Sequence, residues 1–223
     1  MAGKTRMPVD WSALSQVRLP ALRPATSAQL CAGDDLDELS FDGLTFENLR
    51  ADDAHLLECR FTRCELTDAR LRRSTFSACV LEEVRATALD IADSTVRDVV
   101  VRSSRFGALT AHGASLLRLS VEGGRLDYVN LRGAGLAQVQ FLDCRIADLD
   151  VGSARLQHVC FRDCRIDRLS LSGATLEAVD LAGAELGVVD GVDRLAGSTI
   201  NLLQLSQLAP ALAATMGITV SPD

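Results

Sequence analysis

Starting at Leu36 and stepping by five, the chain carries an apolar residue at every position as far as Leu186. All seven phenylalanines (Phe41, Phe46, Phe61, Phe76, Phe106, Phe141 and Phe161) fall in this register, although it holds only every fifth residue. A second inward set lies two residues earlier and alternates between small and larger side chains. Cys64, Ser74, Ser94, Ser104, Ala114, Cys144, Ala154 and Cys164 are small, while Leu89, Val99, Leu109, Val129, Val139 and Leu149 come in between. Two residues of every five therefore point inward and three outward. A helix imposes a period of 3.6 and a flat strand a period of 2, so neither fits. A chain that turns a corner every five residues does.

Four such corners close a square, which stacks residues twenty apart at the ~4.8 Å spacing of neighbouring strands. The repetition of FLDCRI (141–146) as FRDCRI (161–166) follows directly, with Phe141 under Phe161 and Cys144 under Cys164. Aromatic residues are only 4% of the chain, so small aliphatic side chains must fill most of the core.

The triplets VDL (179–181), VNL (129–131), LDI (89–91) and AEL (184–186) resemble the A-(D/N)-L-x-x motif of pentapeptide-repeat proteins. That resemblance implies an all-β solenoid: a right-handed quadrilateral β-helix of nearly eight coils, about 37 Å long, with a short C-terminal helical tail. The predicted organisation is an N-terminal cap over 1–33, the β-helix over 34–190, and a C-terminal helical cap and dimerisation segment over 191–223. The N-terminal segment carries Trp11, Leu14, Val17, Leu19 and Leu22 between prolines, and reads as a short helix or irregular cap over the first coil. Exposed solenoid ends need such covers.

The five-residue register fails at Gly191. Beyond it, Leu205, Leu208, Leu212 and Met216 recur at helical spacing, Pro210 starts a second helix or kinks one, Gly217 suits a C-cap, and the ITV of 218–220 suits a short strand. Gln204 and Met216 to Val220 are similar to the C-terminal ending of the quinolone-resistance members of the pentapeptide-repeat family. The resemblance implies a homodimer through Leu205, Leu208, Leu212 and Met216.

The residues of the repeat region offer no catalytic constellation. His55, His112 and His158 lie outward on different coils, and no zinc-type cysteine pairing, phosphate loop or nucleophile elbow is present. His158 and Cys160 straddle one corner near Asp143 and Asp163, but a filled rod offers such a pair no water-excluding pocket. The expectation is a protein that is not an enzyme and takes no cofactor or metal. Cys160 is read as outward and reactive, and Cys144 and Cys164 as free thiols. No secretory leader or membrane span is legible, so the sequence predicts a cytoplasmic protein that does not engage a membrane.

Charge is unevenly placed. The net charge is −7, which disfavours direct nucleic-acid binding by the surface as a whole. Asp34, Asp35, Asp37, Glu38, Asp42, Asp52 and Asp53 crowd the first coils, whereas Arg85, Arg105, Arg125, Arg145 and Arg165 form one column at twenty-residue intervals. Both sets are candidate partner-binding surfaces. Family resemblance implies a DNA mimic that binds DNA gyrase or a related topoisomerase and protects it from quinolone-type poisons. The competing expectation is a protein-interaction scaffold with a partner other than a topoisomerase. Along ~37 Å, duplex DNA carries about 22 negative charges. The chain's net charge falls well below that, so any mimicry is confined to part of the surface.

Overall fold

A computed structural model of the chain describes residues 9–220. From Asp35 to Asp190 it is a single stacked coil in which short parallel strands pair with those one turn above and below. The register is twenty throughout most of its length: Asp35–Asp37 pairs with His55–Leu57, Phe41 with Phe61, Phe141 with Phe161. It shifts only opposite Arg162, where Gly183 rather than Ala182 is the partner. Each coil has four faces. In chain order they begin in the first coil at residues 35–37, 40–42, 45–47 and 50–52, and are called faces one to four below.

The corners explain how a five-residue step is held. Two residues after each inward apolar position the backbone enters the left-handed region, at nineteen non-glycine residues from Glu38 (φ 55) to Ala178 (φ 53), and at glycines such as Gly43, Gly113 and Gly133. Apart from Gly183, one corner departs from this rule. Asp68 is left-handed (φ 53), but Ala88, Ala108, Tyr128, Asp148 and Arg168, which follow it in the stack, are not, and strands such as Arg85–Asp90 and Arg105–Thr110 run through that corner. There the coils approach so closely that a Cβ on Gly107 would lie 2.6 Å from the Thr87 carbonyl oxygen.

The interior is one continuous apolar cluster from Leu30 to Ala184. Two pairs of phenylalanine rings stack within it. Phe41 stacks on Phe61 with centroids 4.6 Å apart, and Phe141 on Phe161 at 4.9 Å. Between them, where aliphatic side chains predominate, a cavity of about 90 Å³ remains, lined only by apolar residues including Leu81, Ile91 and Leu109.

The small inward positions stitch one coil to the next. Ser74 Oγ accepts from the Ala54 amide at 3.1 Å and lies 3.2 Å from the Ala51 carbonyl. Ser94 repeats the arrangement one coil up. Cys59, Cys64, Cys79, Cys144 and Cys164 donate their thiols to carbonyls 23 residues earlier in the same way. Burial pushes the Cys79 thiol up to about 12 and also raises Cys59 and Cys64. The hydrogen bond shared with Cys164, together with burial, raises Cys144.

The two ends differ. Leu30 is buried in the core, and Arg23–Pro24 pairs with Leu39 and Ser40, so residues 23–30 cover the first coil. The helical turn that precedes them does not sit there, contrary to the sequence reading. A single helical turn, α1 (Trp11–Leu14), N-capped by Asp10, lies on face two beside strands Thr95–Arg102 and Ser115–Glu122. One outward residue per coil of that face, Val80, Val100, Ser120, Gln140 and Cys160 in turn, is buried. Cys160 is thus not the exposed thiol that the sequence suggests, and burial pushes it up to about 11. Cys31 is exposed instead. With a disulfide-exchange reagent on the native protein, Cys31 should react in the first phase, with Cys160 and the five inward thiols far slower. Mapping the modified peptide by mass spectrometry checks this; early labelling at Cys160 contradicts it.

At the other end Gly191 (φ 81) turns the chain out of the coil. Ser198 and Thr199 add one short strand against Val179 and Asp180, and α2 (Leu202–Thr215) follows. It is one helix with Pro210 inside it, rather than two. Gly217 (φ 72) ends it, with Ile218 N–H reaching the Ala213 carbonyl, and residues 218–220 form no strand.

Candidate functional site: the charged surfaces and the terminal helix

The structure divides the acidic cluster. Asp42 pairs with Arg63 at 2.6 Å, Asp52 with Arg70 at 3.0 Å, and Asp53 with Arg73 at 2.7 Å. The hydrogen bond from Arg73 holds Asp53 below the usual carboxylate range. These pairs span adjacent coils, because arginine reaches the carboxylate of the turn above or below. Asp34, Asp35, Asp37 and Glu38 make no ion pair among the described residues. Asp34 accepts from the Cys31 amide at 3.0 Å, while Asp35 and Asp37 flank buried Leu36 and stay exposed. Asp35 and Asp37 are stacked on His55 and Leu57, so no arginine stands in the next coil to neutralise them. Arg23 lies beside them, and its guanidinium donates to the Asp37 backbone carbonyl at 2.9 Å.

The arginine column is a true stack on face three. Arg85, Arg105, Arg125, Arg145 and Arg165 are successive Cα partners in the ladder, and all are exposed. Neighbours at ~4.8 Å repel by about 0.9 kcal/mol in water. Arg125 is offset by Asp127 at 2.8 Å, and Arg165 by Asp167 at 2.8 Å and Glu185 at 3.7 Å. The hydrogen bond with Asp167 raises the Arg165 guanidinium further. Arg85, Arg105 and Arg145 have no ion pair among the described residues. Arg145 nevertheless lies in an open groove bordered by Asp127, Asp143, Asp163 and Asp167, so the column is a mixed-charge face rather than a positive stripe.

The four residues assigned to dimerisation separate as well. Leu208 is buried against the rod and Leu212 is half-buried, whereas Leu205 is 46% and Met216 75% exposed. Leu202 at 84% and Leu203 at 67%, which heptad-like spacing did not single out, extend the free apolar surface. Gln204 is the anchor: its side-chain amide donates to the carbonyls of Leu181 and Ala184 at 2.8 and 2.7 Å, and its oxygen accepts from the Asn201 amide.

His158 sits half-buried at a left-handed corner (φ 53), with Cys160 buried two residues on, so the two do not form an accessible nucleophile pair. Among the described residues no group of His, Cys, Asp and Glu could hold a metal ion, and no helix is long and apolar enough to cross a membrane.

A family model for pentapeptide repeats matches residues 40–82 in eight copies. A search of curated proteins finds no matching relative. Among solved structures, the chain is similar to HetL, a pentapeptide-repeat protein involved in heterocyst differentiation regulation from the cyanobacterium Nostoc. Identity is 17% over 76% of this chain and 90% of HetL, with a TM-score of 0.35. It is also similar to a trypsin-treated QnrB1, a plasmid-mediated fluoroquinolone resistance protein, at 16% identity over 85% of this chain and all of that one, with a TM-score of 0.33. The matched segment lies inside a coil whose five-residue step and twenty-residue register continue from Asp35 to Asp190.

Proposed function

We propose that the chain is a non-catalytic interaction rod whose working surface is the acidic tip of its first coil, and that it binds the basic, DNA-contacting surface of DNA gyrase as a local mimic of duplex charge. One observation carries this reading. Ten carboxylates of the rod are spent on arginines of the adjacent coil, Asp42, Asp52 and Asp53 of the first coils among them, while Asp34, Asp35, Asp37 and Glu38 stand together at the tip without an ion pair among the described residues. Unspent charge of one sign is what steers association with an oppositely charged surface. The mimicry is confined to the tip, because arginines interspersed along the shaft offset most of its carboxylates. The C-terminal ending favours the same reading, since its similarity to quinolone-resistance members rests partly on Gln204, which the fold uses to seat α2.

In this account two copies pair through the free apolar face of α2, placing an acidic tip at each end of a longer rod. Leu202, Leu205 and Met216 supply that face, whereas Leu208 already serves the cap. Replacing Leu202 and Leu205 together by glutamate should give a folded monomer by light scattering, with a melting temperature close to that of wild type. A wild type that is monomeric at tens of micromolar removes the dimer.

A second reading rests on Arg85, Arg105 and Arg145, which lack ion pairs among the described residues: a scaffold that binds an acidic partner other than a topoisomerase through face three. Equilibrium binding to purified gyrase at low and high salt separates the two. Under the first reading, neutralising Asp34, Asp35, Asp37 and Glu38 weakens binding at least tenfold and flattens its salt dependence, while neutralising the three arginines changes little. Gyrase binding that is absent in wild type removes the first reading and leaves the second.

A further inference from the structure

The N-terminal segment covers a surface that is fully formed without it. Face two is built from ladder-paired strands, and five successive outward residues on it, Val80, Val100, Ser120, Gln140 and Cys160, carry no charge. Polar groups are organised there to receive backbone. The Gln140 side-chain nitrogen lies 3.1 Å from the Trp11 carbonyl, 3.0 Å from Ser15 Oγ and 2.9 Å from Ser120 Oγ. Ser120 in turn donates to Glu122 at 2.7 Å, and Glu122 pairs with Arg102 at 3.1 Å. Arg102 also donates to the Ser15 carbonyl. Arg162 lies over the Trp11 ring at 6.0 Å, within cation–π range, and Leu14 is buried against the face.

The occupant is held far less firmly than the face. Its helix is one turn of four residues, too short to persist undocked. Between Gln16 and Leu22 it makes no backbone ladder with the coils. Such a segment opens locally at a much lower cost than global unfolding, and opening leaves the receiving surface intact.

We propose that face two is a peptide-binding surface, occupied in cis by the chain's own residues 9–22 and able to take a partner segment of the same chemistry. That segment is one helical turn presenting a tryptophan and a leucine three residues apart, with serine after the leucine and extended apolar chain beyond. The cis segment acts as an autoinhibitory strap, because its effective concentration is on the order of millimolar and a partner must displace it. This site is distinct from the acidic tip and does not depend on the gyrase reading.

The test uses the full chain and a fluorescein-labelled synthetic peptide of residues 9–20, VDWSALSQVRLP. In a Trp11→Ala, Leu14→Asp variant the strap should release, so that Cys160 labels at least tenfold faster than in wild type. The peptide should then bind at least tenfold more tightly than to wild type by anisotropy and protect Cys160 again. Adding Gln140→Ala to that variant should weaken the peptide at least tenfold. A peptide with alanine for both tryptophan and leucine should not bind.

A variant that melts as wild type yet binds the peptide no better overturns the proposal. So does equal binding of a scrambled peptide. A variant that dimerises rather than taking the peptide overturns it in favour of a second copy as the occupant. If the variant does not fold, hydrogen exchange on wild type decides: residues 11–16 should exchange by local opening, well ahead of the Ser115–Glu122 strand. Exchange of both only through global unfolding overturns the idea.

Discussion

Phe141→Asp should unfold the upper half of the rod. The ring is 4% exposed and stacks on Phe161 with an interplanar angle of 5°. Removing it forfeits about 3–5 kcal/mol of burial and contact. The carboxylate that replaces it has no buried partner, and its desolvation adds several kcal/mol more. A loss of this size is comparable with the whole stability of an ordinary domain. Thermal melting followed by circular dichroism checks it, and an unchanged transition contradicts the stacked-coil account.

Gln204→Leu should detach the C-terminal cap while leaving the lower coils formed. Above the last coil the ladder continues with the two-residue strand Ser198–Thr199, and the Leu181 and Ala184 carbonyls are satisfied by the Gln204 amide. Leucine keeps the volume but strands two buried acceptors at about 1–3 kcal/mol each. It also removes the reciprocal bond that closes the Asn201 cap of α2. Limited proteolysis should then cut within 200–215 before the coils are touched. A cleavage pattern and melting temperature equal to those of wild type contradict the capping role.

The coil itself was legible because every inward position obeys one spacing: Phe141 predicts Phe161 and Cys144 predicts Cys164, and the ladder pairs the strands in that register. The arginine column was legible for the same reason. The ion pairs of other arginines were not, since arginine reaches diagonally: Arg70 takes Asp52 and Arg72 takes Asp90, eighteen residues away, while Arg63 takes Asp42 at twenty-one. Reading one column at a time therefore hides the partners of Asp42 and Asp52, whereas Asp53 pairs straight up its column with Arg73. The strap was hidden for a different reason. A four-residue helix carries no periodicity, and Trp11 and Leu14 look like any end cap. The signal lay on the other partner, in the run Val80, Val100, Ser120, Gln140 and Cys160, five uncharged residues headed by two valines at outward positions. Cys160 was misread as reactive because the chain that covers it lies some 145 residues away in sequence. On α2, helical spacing grouped Leu205, Leu208, Leu212 and Met216 as one stripe, but the coil end claims the side holding Gln204 and Leu208, leaving Leu202, Leu203 and Leu205 outside.

The central claim is that the unspent carboxylates of the tip carry partner binding, and inhibition of purified gyrase supercoiling is its most direct test. Wild-type protein titrated at low salt should inhibit supercoiling in a concentration-dependent way. The Asp34→Asn, Asp35→Asn, Asp37→Asn, Glu38→Gln variant should need at least tenfold more protein for the same effect, and the Arg85, Arg105 and Arg145 neutralised variant should match wild type. Supercoiling that proceeds normally under excess wild type, with and without a quinolone, or inhibition that survives loss of all four carboxylates, would contradict the account.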